Sequence, residues 1–164
     1  ARIPYWIQLV SDYDTWAKQL VDTDAFNYGM LASDWSVESD LWESLTDDVT
    51  MNIVRKGESV LEYIKQRSKS HLKSYGFVTE FAGYKCLAVN SRYESSMIFD
   101  SVRNQYPVCV MFEFTGRCWK YSLYTNGRLN ASQIASIYGG GGHAGAAGFT
   151  TDTLLPCFTK EISE

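Results

Sequence analysis

The sequence predicts an α+β protein in which a mixed β-sheet with flanking helices follows a mainly helical segment. Two observations support this prediction. Short runs of β-branched and aromatic residues alternate with helical patterns after residue 76, whereas helical spacing dominates the first 75 residues. The composition of the 164 residues, 45% hydrophobic and 21% charged, is that of an ordinary globular domain and excludes a disordered chain.

Residues 1–48 are acidic and aromatic, and we expect them to form short helices joined by turns. The exception is the opening apolar run at 5–10, which is followed by a polar cluster at 11–16. This pattern is typical of a buried strand that leads into a loop. We therefore predict a strand at the start of this segment. We expect its tryptophans Trp35 and Trp42 to belong to the core.

Residues 49–76 predict one long helix that connects two lobes. Leu61, Ile64 and Leu72 keep near-helical spacing, and Lys and Arg side chains fill the other faces. Gly76 follows the last of these residues and is a typical helix stop.

Residues 77–164 predict the sheet and its helices. Asn130 is placed to cap the second helix, because its side chain can accept hydrogen bonds from the first helical N–H groups. The predicted strands are 77–81, 84–90, 108–114, 117–124 and 149–151, and the predicted helices are 95–104 and 131–138.

The charge of the chain is unevenly distributed. The formal net charge is −4, yet residues 1–50 hold two Lys or Arg against ten Asp or Glu, and residues 51–75 hold six against two. Because duplex binding depends on many phosphate contacts, this balance disfavours long duplex nucleic acid as a partner. A short anionic ligand held locally remains compatible with it.

Other features of the sequence predict the cellular compartment of the protein and indicate a fragment. The cysteines are widely spaced and predict reduced, mostly buried thiols: Cys86, Cys109, Cys118 and Cys157. The sequence contains no apolar run of membrane-spanning length and no secretory signal pattern, so we expect a cytoplasmic protein without membrane association. The chain starts on Ala1 and enters an apolar run at once, which favours a fragment of a longer protein.

Composition does not explain the Gly-rich segment 139–148. Six glycines in ten residues lose much conformational entropy on folding, and the folded state must offset that cost. Without side chains, backbone N–H groups can approach an anion closely and form a phosphate-binding nest. His143 can donate to a phosphate oxygen. The alternative is a flexible surface loop with an incidental histidine, which the apolar flanks Ile134 and Phe149 disfavour.

The segment Gly-Gly-Gly-Gly-His-Ala-Gly-Ala-Ala-Gly resembles the signature of the substrate-binding domain associated with DHH phosphoesterases. The similarity extends to the run at 121–124, which resembles a Ser-Leu-Arg-Ser strand of that family, and to 130–132. The run at 11–16 resembles an Asp-Asp-Tyr-Asp-x-Trp segment of the oligoribonuclease-like branch. The resemblance implies an α+β domain and a parent enzyme that hydrolyses phosphodiesters in short oligonucleotides, cyclic or linear dinucleotides, or other phosphate esters.

The resemblance also implies roles for individual residues. Substrate phosphate would lie in a cradle formed by Gly139, Gly140, Gly141 and Gly142, with His143 bonded to the phosphate or sugar. Tyr124 stands where many relatives carry a phosphate-binding arginine and would contact the base instead. Arg128 or Arg117 would supply the missing charge.

The same resemblance implies two Mn²⁺ ions, held by Asp and His ligands that include an Asp-His-His triplet. This chain has two histidines, neither beside an Asp or another His, and offers only Asp12 and Asp14 from the matched motif. We therefore expect the ions to be bound mostly by an N-terminal catalytic domain of the same protein, and this chain alone to be inactive.

This interpretation gives three regions. Residues 1–48 would be the tail of the catalytic domain, 49–76 the connector helix and 77–164 the DHH-associated substrate-binding domain. Two alternatives remain open: an autonomous nucleic-acid-binding or interaction module without activity, and a complete small metal-dependent hydrolase. The sequence does not indicate an oligomeric state.

Overall fold

The computed structural model describes residues 2–15, 17–36, 38–92 and 96–159. The chain divides into two compact units, Ala1–Arg67 and Ser68–Glu164. The boundary lies inside one long helix, α4 (Asp47–Tyr75). No described helix has the length and apolar character that a membrane span requires.

The first unit is helical from its start. It contains α1 (Tyr5–Asp14), α2 (Thr23–Leu31), the single turn α3 (Leu41–Ser44) and most of α4. The strand predicted at 5–10 is therefore wrong, because a short apolar run does not distinguish a buried strand from a helix. Leu9 and Asp12 are the buried residues of α1, and their spacing of three places them on one helical face.

Helices α2 and α4 approach each other closely. A Cβ at Gly57 would overlap the carbonyl oxygen of Ala25, and a Cβ at Gly29 would overlap that of Ile53. These two glycines therefore bring the backbones of the two helices together. The core of this unit includes Leu9, Ala25, Phe26, Met30, Ile53, Val54 and Leu61.

Of the two tryptophans that the sequence predicted in the core of this segment, one is half-buried and the other is exposed. Trp42 is half-buried, packs against Trp6 with ring centroids 6.2 Å apart and donates from Nε1 to the Ser36 carbonyl. Trp35 is 53% exposed, so the prediction for it is wrong. Trp35 lies in the connection between α2 and α3, outside the helical faces that pack together.

The second unit is built on a six-stranded mixed sheet, which confirms the predicted α+β class. Strands β2 and β3 are parallel and every other neighbouring pair is antiparallel, in the order β1-β2-β3-β4-β6-β5. The strands are β1 (Phe77–Phe81), β2 (Tyr84–Asn90), β3 (Val108–Phe114), β4 (Trp119–Thr125), β5 (Gly141–Gly142) and β6 (Ala146–Thr151). The sequence analysis missed β5 and started β6 three residues late.

The sheet packs on both faces. On one face lies the larger core, which includes Phe81, Phe112, Tyr121, Leu123, Phe149 and Phe158, together with residues of α5 (Ala131–Ser136). On the other face, Leu72 from the end of α4 joins a smaller core of Leu87, Val89, Ile98, Phe99, Cys109 and Met111. All four cysteines are free thiols, as predicted, and Cys86 and Cys109 are buried.

The helix predicted over 95–104 is replaced by two short 3-10 helices, Ser96–Phe99 and Arg103–Gln105, and Ser95 lies outside the described residues. Ile98 and Phe99 are consecutive and both buried against the sheet. The two segments have four and three residues, the usual length of 3-10 helices.

Candidate functional site

The Gly-rich segment begins as a helix stop. Gly139 has φ +76°, its N–H donates to Ser136, and the N–H of Gly140 donates to Ala135. This pair of bonds around a left-handed residue is a Schellman motif at the end of α5. At its other end α5 is capped as predicted, because the Asn130 side chain accepts from the N–H groups of Ser132 and Gln133. The first two glycines thus have a structural role.

The segment continues as a tight hairpin. Gly141 and Gly142 pair with Gly148 and Ala147 of β6, and His143 and Ala146 exchange backbone hydrogen bonds of 2.8 and 3.3 Å. In an antiparallel ladder, bonded and non-bonded pairs alternate. The next pair is therefore non-bonded, and the N–H of Gly142 points away from β6.

The hairpin is also tied to the rest of the unit. The N–H of Ala131 and the hydroxyl of Thr125 both donate to the carbonyl of Ala144, and the N–H of Thr125 donates to Gly145. A flexible loop would lack these bonds. The Gly-rich segment is therefore an ordered part of the fold, as its apolar flanks predicted.

A groove of about 450 Å³ lies beside this hairpin. On one side are Lys120, Ser122 and Tyr124, which alternate along β4 and so share one face of the sheet. On the other are their cross-strand partners in β6, Thr150, Gly148 and Ala146, and the groove is completed by Tyr121, Gly139, Gly140, Ala147 and Phe149. Because the residues of β6 are small, this part of the sheet remains open.

Lys120 is a groove residue that the sequence analysis missed. Its side chain is exposed and forms no ion pair with the described residues. Its cross-strand neighbour Glu113 pairs with Arg92 at 3.7 Å. The signal that could have found Lys120 is strand alternation, since it precedes Tyr124 by four residues and must lie on the same face.

Tyr124 borders the groove at its opposite end. Its ring packs against Phe99 with centroids 5.8 Å apart. Burial raises the pKa of its phenol, while a hydrogen bond with Ser122 and the positive charge of Arg103 act in the opposite direction. Tyr124 is thus a half-buried aromatic side chain with a hydroxyl group beside the groove.

The other predicted substrate residues lie outside the groove lining. His143 is exposed at the hairpin turn, and its imidazole makes no hydrogen bond to the described part of the chain. Arg128 is exposed in the turn that follows β4. Arg117 is exposed in the turn between β3 and β4. The structure therefore brings Tyr124 together with Gly139 and Gly140, but not with the two arginines.

The two predicted metal ligands are in the first unit. The Asp12 carboxylate accepts from the N–H groups of Gln19 and Leu20, at 2.9 and 3.1 Å, and from the Thr23 hydroxyl. These bonds, the Thr23 bond above all, lower the pKa of Asp12. Asp14 is exposed at the end of α1.

Asp12 therefore organises the loop between α1 and α2. Within the described ranges, no group of three or more His, Cys, Asp or Glu side chains could hold a metal ion. The metal-binding role of Asp12 and Asp14 remains a prediction. Trp16, the last residue of the motif at 11–16, lies outside the described residues.

The fold of this chain is similar to that of two solved structures. It is similar to the pGpG-specific phosphodiesterase PggH from Vibrio cholerae, with a TM-score of 0.56 and 15% identity over 92% of this chain and 63% of that one. A DHH domain described as belonging to a family of ribosomal proteins gives a TM-score of 0.52 at 11% identity, over 77% of this chain and 36% of that one. These likenesses show the fold and agree with the α+β class that the resemblance implied.

The sequence comparisons add one relative. An uncharacterized protein of Acanthamoeba polyphaga mimivirus is 26% identical over 97% of this chain and 40% of its own length. No protein-family model matches the sequence. The chain thus spans 40% of the viral relative and 63% of PggH.

Proposed function

We propose that the second unit is the substrate-binding domain of a DHH-type phosphodiesterase that acts on short oligonucleotides or linear dinucleotides, as the oligoribonuclease-like branch would. The observation that carries the proposal is the groove between β4, β6 and the Gly-rich hairpin. It combines Lys120, a cation that forms no ion pair with the described residues, and the half-buried ring of Tyr124 on one open surface. A phosphate and a base each require one of these chemistries.

Each of these residues suits a different part of the ligand. Lys120 offers an ammonium group to a phosphate, and charge-assisted hydrogen bonds of this kind are about twice as strong as neutral ones. Tyr124 offers a ring edge or face to a base and a hydroxyl to its polar atoms. His143 is exposed at the hairpin turn and would approach the sugar or phosphate from there.

The size of the groove favours a small ligand. A volume of about 450 Å³ lies within the usual range of small-molecule sites, about 300–1,000 Å³. A long duplex would need an extended basic surface, and the net charge of the chain is −4. A dinucleotide or a short single-stranded end is small enough for the groove and does not need an extended basic surface.

The two Mn²⁺ ions that the resemblance implies do not fit the described residues. Asp12 already accepts three hydrogen bonds, Asp14 is exposed, and no third ligand stands near enough to form a cluster in the described ranges. We place the ions in an N-terminal catalytic domain of the same protein. The share of PggH that this chain spans, 63%, is compatible with such a division.

Titration of the chain with pGpG tests the proposal. In an NMR titration, we expect saturable shifts at the amides of Gly139–Gly142 and at Lys120 and Tyr124. Lys120→Gln is expected to weaken binding about tenfold, equivalent to ~1.4 kcal/mol, because one phosphate loses its cation.

Lys65→Gln is the matched control, since it removes the same charge from an exposed position of α4 in the first unit. Its affinity should stay within twofold of the unsubstituted chain. Absence of saturable shifts at millimolar pGpG would overturn the proposed function. Equal losses in both variants would show that only net charge matters and would contradict a site at Lys120.

A further inference from the structure

We propose that the outer edge of β6 at Thr150 binds the base of a nucleotide through the backbone of that residue, at the Lys120 end of the groove. This inference rests on the proposed function and adds a specificity-determining element to the same site. The group that is recognised is the hydrogen-bonding edge of a nucleobase, where an acceptor and a donor lie side by side. The recognising groups are the N–H and the carbonyl of Thr150.

The backbone of Thr150 points away from β4. Bonded and non-bonded pairs alternate along an antiparallel ladder. Thr125 and Gly145 are the next pair in register after the β4–β6 ladder, and the N–H of Thr125 donates to the Gly145 carbonyl. The odd-numbered residues of β4 are therefore the ones that bond to β6, and Lys120 and Thr150 form a non-bonded pair. It follows that the N–H and the carbonyl of Thr150 are directed to the other side of β6.

On that other side, β5 ends before it reaches Thr150. Strand β5 pairs only with Ala147 and Gly148. Its register would bring Gly139 opposite Thr150, but the N–H of Gly139 donates to Ser136 in the helix stop. The N–H, carbonyl and hydroxyl of Thr150 therefore make no hydrogen bond with the described part of the chain. Unpaired N–H and C=O groups at a sheet edge are ready to bond to a further partner.

The groove gives a ligand access to this edge. Thr150 is exposed and lines the groove, and so do Gly139 and Gly140, the two residues that precede β5. Neither glycine carries a side chain that could cover the edge, and an added Cβ at Gly139 would meet nothing within 4 Å. A ligand in the groove can therefore approach the N–H and the carbonyl of Thr150.

The chemistry of this edge suits a base better than a phosphate. The N–H and the carbonyl of one strand residue point the same way, so a ligand that bonds to both must offer an acceptor beside a donor. A phosphate offers acceptors only, and the carbonyl oxygen would repel them. Guanine offers O6 beside N1–H, and adenine offers N1 beside its amino group. Both purines therefore match the edge at Thr150.

Lys120 places a cation beside the same edge. In a non-bonded pair the two Cα atoms are about 4.5 Å apart, closer than in a bonded pair, so the side chains of Lys120 and Thr150 are neighbours on the groove face. A nucleotide whose base bonds to Thr150 can present its phosphate to Lys120. Tyr124 lies four residues along β4, about 13 Å at the rise of a strand, and is left for the second base of a dinucleotide.

Amide hydrogen exchange of the full chain, followed by NMR, tests this edge without any substitution. In the free chain, the N–H of Thr150 should exchange at least about tenfold faster than those of Phe149 and Thr151, which bond to β4. Saturating pGpG should slow exchange at Thr150 at least about fivefold, because the N–H gains a partner. Slow exchange in the free chain would overturn the inference alone. So would unchanged exchange at Thr150 when shifts elsewhere show that pGpG is bound.

Calorimetric titration tests the contact from both sides. The probe is pGpG with both guanines methylated at N1, which lacks the donor for the Thr150 carbonyl, and the unsubstituted chain should bind it at least about fivefold more weakly than pGpG. Thr150→Pro removes the backbone donor, and proline is tolerated at an edge position whose N–H is unpaired. Thr150→Val keeps that donor and lacks only the hydroxyl. Thr150→Pro should therefore bind pGpG about fivefold more weakly than Thr150→Val and should distinguish the two ligands less than twofold.

Thr151→Pro is the control for the fold, since the N–H of Thr151 bonds to β4 and its loss should lower the melting temperature more than Thr150→Pro does. Equal affinities for pGpG in Thr150→Pro and Thr150→Val would overturn the inference, as would equal binding of pGpG and its methylated form by the unsubstituted chain. If Thr150→Pro does not fold, the exchange measurement and the methylated ligand decide. Failure of the unsubstituted chain to bind pGpG would instead overturn the proposed function and this inference together.

Discussion

The glycines of the Gly-rich segment are required for different reasons. Gly139 adopts the left-handed conformation of the helix stop, and Gly140 lies against β6, where a Cβ would overlap the carbonyl oxygen of Gly148. Gly141 has nothing within 4 Å of the position of an added Cβ. Structural and ligand-binding requirements can therefore be separated residue by residue.

This difference gives the first prediction. Gly140→Ala should destabilise the fold by about 2 kcal/mol or more, as overpacking against a backbone does. Gly141→Ala should leave stability nearly unchanged. Urea unfolding followed by circular dichroism measures both. A similar loss of stability in the two variants would contradict the hairpin geometry.

Gly141→Ala also probes the ligand. Its cross-strand partner Gly148 lines the groove, so an added methyl group would stand beside a bound dinucleotide. We expect weaker pGpG binding in Gly141→Ala and unchanged binding in Gly145→Ala, which has equally open space in the same hairpin. Unchanged binding in Gly141→Ala would place the ligand away from the hairpin.

Asp12 predicts a pH dependence of the first unit. Its hydrogen bonds lower its pKa in the folded state, so its contribution to stability is present above the unfolded pKa, about 3.9, and is lost as the pH falls through the folded value. Asp12→Asn should therefore lower the free energy of unfolding at pH 7, and the difference from the unsubstituted chain should shrink as the pH falls below 4.

The matched control is Asp14→Asn, at an exposed carboxylate two residues further along α1. Denaturation curves at several pH values should show little difference between this variant and the unsubstituted chain. If Asp12→Asn were neutral at pH 7, the carboxylate could not be the organiser of the loop that follows α1.

At the scale of secondary-structure elements, the close contact between α2 and α4 makes glycine more favourable than alanine, although alanine is the better helix former in isolation. In an isolated helix, Gly→Ala is favourable by about 1 kcal/mol. At Gly57 the same change would drive a methyl group into the backbone of Ala25. We therefore expect Gly57→Ala to destabilise the first unit, and Ser59→Ala, at an exposed position of α4, to be neutral or slightly stabilising.

Thermal unfolding followed by circular dichroism checks this prediction. A higher melting temperature for Gly57→Ala would mean that helix propensity outweighs packing and that the two helices are not in close contact.

Elements differ in how well the sequence predicts them. The strands β1, β2 and β3 were predicted with their observed bounds, because alternation and turn residues are local signals. The opening helix α1 was predicted as a strand, because six apolar-rich residues fit either structure. Strand β5 consists of two glycines, which carry no side-chain pattern, and only its pairing with β6 defines it.

For the molecule as a whole, the proposed division of labour predicts the outcome of a turnover assay. With Mn²⁺ and pGpG, the 164-residue chain should release no GMP, because the proposal places the metal ligands in another domain. Chromatography of the products measures this, with PggH as the positive control for pGpG hydrolysis. Turnover by this chain would show that it is a complete metal-dependent hydrolase and would overturn the placement of the ions.

Local sequence patterns were sufficient to predict the fold class, the long helix, most of the strands and the Gly-rich segment as an ordered feature. These depend on periodicity, on capping residues such as Asn130 and on glycine conformation, all of which are encoded within a few neighbouring positions. Tyr124 was proposed from the family resemblance, and its side chain lies beside the groove.

Tertiary packing was needed to establish which residues share the groove and which do not. The pairing of β4 with β6 sets Lys120 and Tyr124 opposite small residues, and this opens the groove. Arg128, close to Tyr124 in sequence, lies outside the groove lining. Contacts between distant positions arise from strand order and packing, and these leave no trace in the spacing of residues along one chain.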